Sequence, residues 1–197
     1  MSTQVRDLKC PNCGAPQLPS NSKCQFCKQP IIITTFTSVM DMPAPMLNKY
    51  VRSYSESLKD DPNQSKIHFS IGICYVKLKI YDKALLSFER AFEENFDDSE
   101  AYFYAAICVL GGKKAFLALR PGIDKVIEYI NAANSIEPKA IYYYFLAYIK
   151  YDYFHRKSFL ISPDYKETLL QAKGMGLSPF DVQQLFAVLN VEKPECL

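Results

Sequence analysis

Residues Ser65–Phe96, with the sequence SKIHFSIGICYVKLKIYDKALLSFERAFEENF, decide the fold of this 197-residue chain. Small residues at Gly72 and Ala84 allow two helices to cross closely, and Phe88 fills the space beside the crossing. Lys79–Asp82 supplies a short turn between the two helices. The stretch therefore predicts a pair of antiparallel helices packed through small residues.

The same positions resemble the tetratricopeptide repeat, a 34-residue unit of two antiparallel helices. The matching pattern is His68-x2-Ile71-Gly72-x2-Tyr75 followed by Ala84-x3-Phe88-x2-Ala91. The pattern departs from the family at His68, which replaces a tryptophan, and at Phe96, which replaces a proline. The resemblance implies an all-α tetratricopeptide helical solenoid of about eight helices.

The resemblance extends over Met46–Val191, with a half-repeat before the first unit and two further units beginning at Ser99 and near Ala140. Cys74 and Cys108 are 34 residues apart (108 − 74), which equals the repeat period. Both cysteines are therefore expected to be buried apolar thiols rather than redox groups. The predicted helices outside the first unit are Met46–Lys59, one beginning at Ser99, Ile123–Ser135, one beginning near Ala140, Asp164–Gly174 and a final helix at Pro179–Leu189.

Near the N-terminus the sequence has two C-x2-C pairs, Cys10/Cys13 and Cys24/Cys27, separated by ten residues. Two residues between thiolates let a tight turn direct both sulfur atoms at one point, and two such turns complete a tetrahedral zinc site. Because all four ligands come from the protein, the predicted Zn²⁺, one per chain, is structural. Such a short segment has too small a core of its own, so metal binding is also its folding energy.

This segment resembles short bacterial zinc-ribbon heads, with Lys28 in place of a second glycine. The predicted domains are a zinc ribbon with β structure at 1–37, a linker at 38–45, the helical domain at 46–191 and a tail at 192–197. A β-branched run, Pro30–Thr37, predicts a strand that closes the ribbon, and Met40–Pro45 predicts an irregular linker. Two interpretations of the ribbon remain open: recognition of a protein or nucleic acid, or a folding and docking device. The second is favoured, because the basic and aromatic residues around the cysteines are few: Lys9, Lys23, Phe26 and Lys28.

Composition excludes several classes of protein. Hydrophobic residues make up 49% of the chain, which indicates a folded core, and the formal net charge of +2 gives no global attraction to nucleic acid or anionic membranes. Apolar runs such as Ile31–Ile33 are too short for membrane insertion, and Met1–Asp7 contains no apolar segment typical of a secretion signal. Seven cysteines, an odd number, suit a reducing compartment. These features predict a cytoplasmic location.

The resemblance also implies a concave surface lined by the first helix of each unit, which in this family holds extended peptides or helices. Members that bind chaperone C-termini carry lysine, asparagine and arginine there, whereas this chain has apolar residues and tyrosine. The predicted groove residues are Phe69, Ile73, Val76, Phe103, Ile107, Leu110, Tyr144, Tyr148 and Tyr151. Two interpretations remain open: an open groove that binds a protein partner, or a groove filled by the chain's own linker, Val39–Met46, or closed by a tightly curled superhelix.

Basic residues gather in two loops between helices and predict a basic rim. They are Lys113, Lys114 and Arg120 in one loop, and His155, Arg156 and Lys157 in the other. The rim is interpreted either as a contact for RNA or DNA or as ordinary solvated loops, and the absence of an evident aromatic platform favours solvated loops.

No phosphate-binding glycine loop, nucleophile signature or open metal site is present in the sequence, so an enzyme is not expected. The sequence predicts a non-enzymatic adaptor or scaffold, a subunit of a larger assembly, that binds a protein partner through the groove. The alternative is a nucleic-acid-associated adaptor that uses the ribbon and the basic rim. A steep salt dependence of RNA or DNA binding would favour the alternative.

Overall fold

The computed structural model describes residues 8–17 and 21–197, so the predicted absence of a secretion signal at Met1–Asp7 concerns residues outside it. The described residues are mostly helical and contain eight α-helices, the number predicted. These are α1 (Ala44–Asp60), α2 (Ser65–Lys77), α3 (Tyr81–Glu94), α4 (Ser99–Leu110), α5 (Arg120–Ile136), α6 (Ala140–Ile149), α7 (Tyr165–Gly174) and α8 (Pro179–Leu189). Across the described residues, none of these helices has the length and apolarity needed to cross a membrane.

Consecutive helices pack against each other: α2 with α3, α4 with α5, and α6 with α7. Helix α1 packs on α2, whereas α8 packs on α4 and α6. Helices α2, α4 and α6 each carry more buried side chains than any of the other five helices, because each is apolar on more than one side. They form the central layer of the molecule.

Close contact between α2 and α3 depends on Gly72. A Cβ atom added at this residue would lie 2.6 Å from Cε1 of Phe88. The Phe88 ring is fully buried, 5.5 Å from Phe69 in an edge-on contact and 5.6 Å from Tyr104 in a stacked one. Because neighbouring rings confine Phe88 on both sides, it has no room to move away from a larger residue at position 72.

Helix α6 continues into a π-helical turn at Lys150–Phe154 and a 3₁₀ turn at His155–Lys157. The turn directs the Lys150 amine inward, where it donates to the Pro163 carbonyl at 2.8 Å and to Thr168 Oγ1 at 2.9 Å. Burial lowers the pKa of this lysine. Two hydrogen bonds from the buried ammonium group tie the long α6–α7 connection to α7.

The predicted strand at Pro30–Thr37 is wrong. The described β structure is one antiparallel pair, β1 (Leu8–Lys9) and β2 (Pro16–Gln17), with an isolated bridge between Lys23 and Pro30. Residues 31–35 contain no regular structure, and Phe36–Val39 forms a 3₁₀ turn.

Side-chain hydroxyl groups on α1 and α2 explain why this segment does not form a strand. Tyr50 donates to the Pro30 carbonyl, Tyr54 to the Ile31 carbonyl and Ser70 to the Ile33 carbonyl, at 2.6, 2.9 and 2.7 Å. The carbonyl groups that a partner strand would bind are therefore satisfied by side chains of α1 and α2. The linker is also shorter than predicted, because Ala44 and Pro45 belong to the first turn of α1, where proline is well tolerated.

Replacing Gly72 with alanine should lower the free energy of unfolding by about 1–3 kcal/mol, because the added methyl group meets a ring that cannot move. Gly174→Ala is the matched control: it is also helical, but nothing lies within 4 Å of its added Cβ. The control should be neutral or stabilising by up to about 1 kcal/mol. Urea unfolding measures both, and equal stability of the two variants would contradict the close contact between α2 and α3.

Candidate metal centre and concave face

The four predicted metal ligands lie together. The Sγ atoms of Cys10, Cys13, Cys24 and Cys27 are all within 4.8 Å of one another. Cys10 and Cys27 are 3.6 Å apart at sulfur, as are Cys13 and Cys24. Four thiolates around a tetrahedral ion with bonds of about 2.3 Å would be separated by about 3.8 Å. The cluster therefore fits a four-coordinate metal ion.

The two C-x2-C turns have the same backbone geometry. Gly14 N–H donates to the Cys10 carbonyl at 2.8 Å, and Lys28 N–H donates to the Cys24 carbonyl at 3.0 Å. Both residues adopt left-handed backbone conformations, with φ of +74° at Gly14 and +61° at Lys28. A lysine pays about 1–2 kcal/mol for this conformation relative to glycine. The second turn therefore keeps its geometry without the usual glycine.

Hydrogen bonds to sulfur favour thiolates in part of the cluster. Burial acts to raise the pKa of Cys24, but N–H groups of Cys27 and Phe26 and the neighbouring thiols lower it to about 6. The side chain of Gln17, itself buried, donates to Cys24 Sγ at 3.2 Å. At Cys10 burial prevails and raises the pKa to about 12. The donor groups around Cys24 are the kind that orient and stabilise metal-bound thiolates.

Cysteines in the helices have a different environment. Burial raises the pKa of Cys74 to about 12 and raises that of Cys108 as well. Both side chains belong to the hydrophobic core, so they are neutral thiols that pack as small apolar groups.

The predicted groove residues are not an open surface. Eight of the nine are buried, from Ile73 at 0% exposed to Phe103 at 8%, and only Tyr151 is partly exposed. The eight are Phe69, Ile73, Val76, Phe103, Ile107, Leu110, Tyr144 and Tyr148. The prediction of an accessible groove is therefore corrected: these residues belong to the hydrophobic core, because other parts of the chain cover them.

One cover is the segment from Pro30 to Met42, which we call the N-terminal strap. It buries Ile33, Phe36 and Val39 in the same core as the α2 residues. Ser70 and Lys77, which lie seven residues apart on one face of α2, donate to strap carbonyl groups at Ile33 and Met40. The strap therefore runs along α2 over the predicted groove.

The other cover is α8. Phe186 on α8 meets Tyr144 and Tyr148 edge-on, with ring centroids 6.2 and 5.4 Å away. Leu185 and Val188 face Phe103 and Ile107 of α4 across a cavity of about 200 Å³. The two covers meet where Gln184 of α8 donates to Thr37 Oγ1 of the strap at 2.7 Å.

The two basic loops adjoin. Buried Asp152 joins them: it accepts a hydrogen bond from Phe116 N–H at 2.8 Å and pairs with Arg156. The Arg156 guanidinium lies 4.4 Å from the centre of the Phe116 ring, and the Lys157 amine lies 5.1 Å from it. Arg120 instead pairs with Asp124 and lies over the Phe154 ring. All the predicted rim residues except the half-buried Lys157 are exposed, and Lys113 and Lys114 are exposed without an ion pair to any described residue.

Phe26 is a candidate binding residue that the sequence analysis did not select. It lies between Cys24 and Cys27 and is 70% exposed, an unusual position for a phenylalanine. The signal was present in the sequence: when both flanking cysteines point toward one centre, the residues between them must point away from it.

No known protein-family model matches the chain, and no curated protein matches it. The resemblance to tetratricopeptide repeats therefore depends on the residue pattern and on the contact between Gly72 and Phe88.

Purified protein should contain one tightly bound metal ion per chain, zinc by the sequence prediction, because four convergent thiolates prefer it. Cys24→Ser should lose the metal, whereas Cys196→Ser, at an exposed cysteine outside the cluster, should retain it. Helical circular dichroism should persist in both, since the core cluster begins at Ile33. Elemental analysis decides the outcome; metal-free native protein would contradict the site.

Proposed function

We propose that the chain is a non-enzymatic adaptor: a tetratricopeptide-type helical scaffold that holds a zinc-ribbon head and binds a protein partner through that head. The observation that carries the proposal is the exposed Phe26 at the tip of the second cysteine turn, combined with the covered concave face. Two points support the repeat assignment: the contact between Gly72 and Phe88, and the burial of Cys74 and Cys108 at equivalent places in α2 and α4.

The head gives Phe26 a fixed position. Zinc in the four-cysteine site would have no open coordination position, so its role is structural. The ion would hold the two turns together, while Tyr50 and Tyr54 bind the carbonyl groups of Pro30 and Ile31 just beyond the head. A backbone held at both places loses little conformational entropy when a partner covers Phe26, which favours binding.

Charge favours a protein over a nucleic acid as the partner of the head. Within residues 8–17 and 21–29 the charged side chains are Lys9, Lys23 and Lys28, with no carboxylate. Four thiolates and one Zn²⁺ carry a formal charge of −2, so the head has a net charge of +1 (3 − 2). Such a small charge gives little attraction to phosphates. An exposed phenylalanine ring is instead typical of the apolar anchor at the centre of a protein interface.

The nucleic-acid-associated adaptor remains the second candidate, with the basic rim as its main contact. It is favoured by the exposed Lys113 and Lys114, whereas the exposed Arg120 and Arg156 are paired with carboxylates, and strong salt dependence of binding would distinguish it. A cytoplasmic location is part of the proposal, because a thiolate metal site and unpaired cysteines suit a reducing compartment.

Changing Phe26 to alanine should weaken partner binding by about 2 kcal/mol or more, because anchor residues dominate interface energies. Phe96→Ala is a matched control: Phe96 is 71% exposed, against 70% for Phe26, but follows α3 rather than lying in the head. The intact zinc-loaded chain serves as bait, and proteins retained by the wild type and by Phe96→Ala are compared with those retained by Phe26→Ala.

The proposal expects at least one protein to be lost selectively with Phe26→Ala, at unchanged thermal stability. Identical retention by all three baits would refute the head as the binding site. Retention of RNA that decreases steeply with salt, independent of Phe26, would support the second candidate instead.

A further inference from the structure

The edge formed by the two adjoining basic loops exposes a cluster of large apolar side chains. We call residues 113–120 and 155–160 the loop edge. Four of the twelve strongly exposed large apolar residues among the described residues fall within these fourteen positions: Leu117, Leu119, Phe159 and Leu160. Single exposed leucines are ordinary on a protein surface, but such clustering indicates a contact surface.

These side chains project outward. Leu119 is 81% exposed and Leu160 is 102% exposed, so the Leu160 side chain makes almost no contact with the rest of the protein. Leucine is under-represented among the residues that anchor protein interfaces, in contrast to an aromatic ring such as that of Phe26. Projecting aliphatic side chains can instead enter a soft apolar medium such as the boundary between lipid headgroups and acyl chains.

The loop edge is also rigid, which lets it present these side chains together. Buried Asp152 binds Phe116 N–H of one loop and Arg156 of the other, and Tyr148 donates to the same carboxylate at 3.4 Å. Phe159 packs near Tyr153, with ring centroids 6.1 Å apart. The apolar tips are thus attached to one scaffold rather than to two independent loops.

Net positive charge surrounds the apolar tips. The cations on or against the loop edge are Lys113, Lys114, Arg120, Arg156, Lys157 and Lys193, and the carboxylates are Asp124, Asp152, Glu192 and Glu195. Their sum is +2 (6 − 4), equal to the formal charge of the entire 197-residue chain. Among the described residues, Lys113, Lys114 and Lys157 have no carboxylate within 4.0 Å. Long lysine side chains can extend from an apolar surface toward anionic headgroups.

We propose that the loop edge docks the protein on membranes that contain anionic lipids, with Leu119 and Leu160 entering the interface and Lys113 and Lys157 contacting headgroups. Charge complementarity and projecting apolar side chains together favour this occupant over a nucleic acid, since leucine offers no stacking surface for bases. The site is separate from the head and from Phe26, so it does not depend on the partner proposed above.

Vesicle sedimentation tests the proposal with the intact chain. Binding to phosphatidylcholine vesicles that contain phosphatidylserine should exceed binding to phosphatidylcholine alone, and should decrease with added salt. Leu119→Ser combined with Leu160→Ser should weaken binding at least tenfold, because two apolar side chains leave the interface. Lys113→Gln and Lys157→Gln should each weaken it about fivefold.

Leu86→Ser combined with Leu170→Ser is the matched control, since these exposed leucines lie on α3 and α7, outside the loop edge. It should bind vesicles as the wild type does. The proposal is overturned if the wild type does not bind anionic vesicles, if both double variants behave alike, or if duplex RNA rather than vesicles is bound through Lys113 and Lys157.

Discussion

The structure depends on one constraint: the three central helices are apolar on more than one side. Helix α6 (Ala140–Ile149) contains no charged residue, and α4 (Ser99–Leu110) contains only Glu100. Pairing with α5 and α7 buries one side of each helix, and the opposite side would remain wet in a bare solenoid. A helix that is hydrophobic all round must be buried on every side. The central helices therefore need a second cover opposite their partner helices.

The covers explain the rest of the architecture. The N-terminal strap lies along α2, and α8 lies over α4 and α6. The hydrogen bond from Gln184 to Thr37 joins the two covers, and one from Lys79, in the turn after α2, to Asn190 holds the end of α8. Because the strap begins immediately after the four-cysteine cluster, its anchoring also fixes the head on the helical scaffold. Among the described residues, the strap and α8 thereby cover the sides of α2, α4 and α6 that the predicted groove would present to a partner.

Local sequence patterns predicted the features that depend on residues close together in the chain, namely the helix starts and the cysteine cluster. Helices α2, α4 and α8 begin at the predicted Ser65, Ser99 and Pro179, and the cysteine spacing placed the four thiols together. The covering of the central helices by the distant strap and α8 was not predictable in the same way. The extended run at Ile31–Thr35 has strand propensity, yet its carbonyl groups find helix hydroxyls more than twenty residues away. One sequence feature did indicate that the predicted groove would be covered. Helix α6 has no charged residue, and such an apolar helix is unfavourable at a surface exposed to water.

Hydrogen exchange of the intact, metal-loaded chain tests most directly whether the chain covers the residues of the predicted groove. Met40 and Met42 of the strap donate backbone hydrogen bonds to Thr37 and Val39, and α8 has its own helical bonds. If both covers are docked, the amides of these strap residues and of Leu185–Leu189 exchange nearly as slowly as those in α4. Rapid exchange in the strap and α8, with α4 still protected, would show that the predicted groove residues are uncovered and contradict the account.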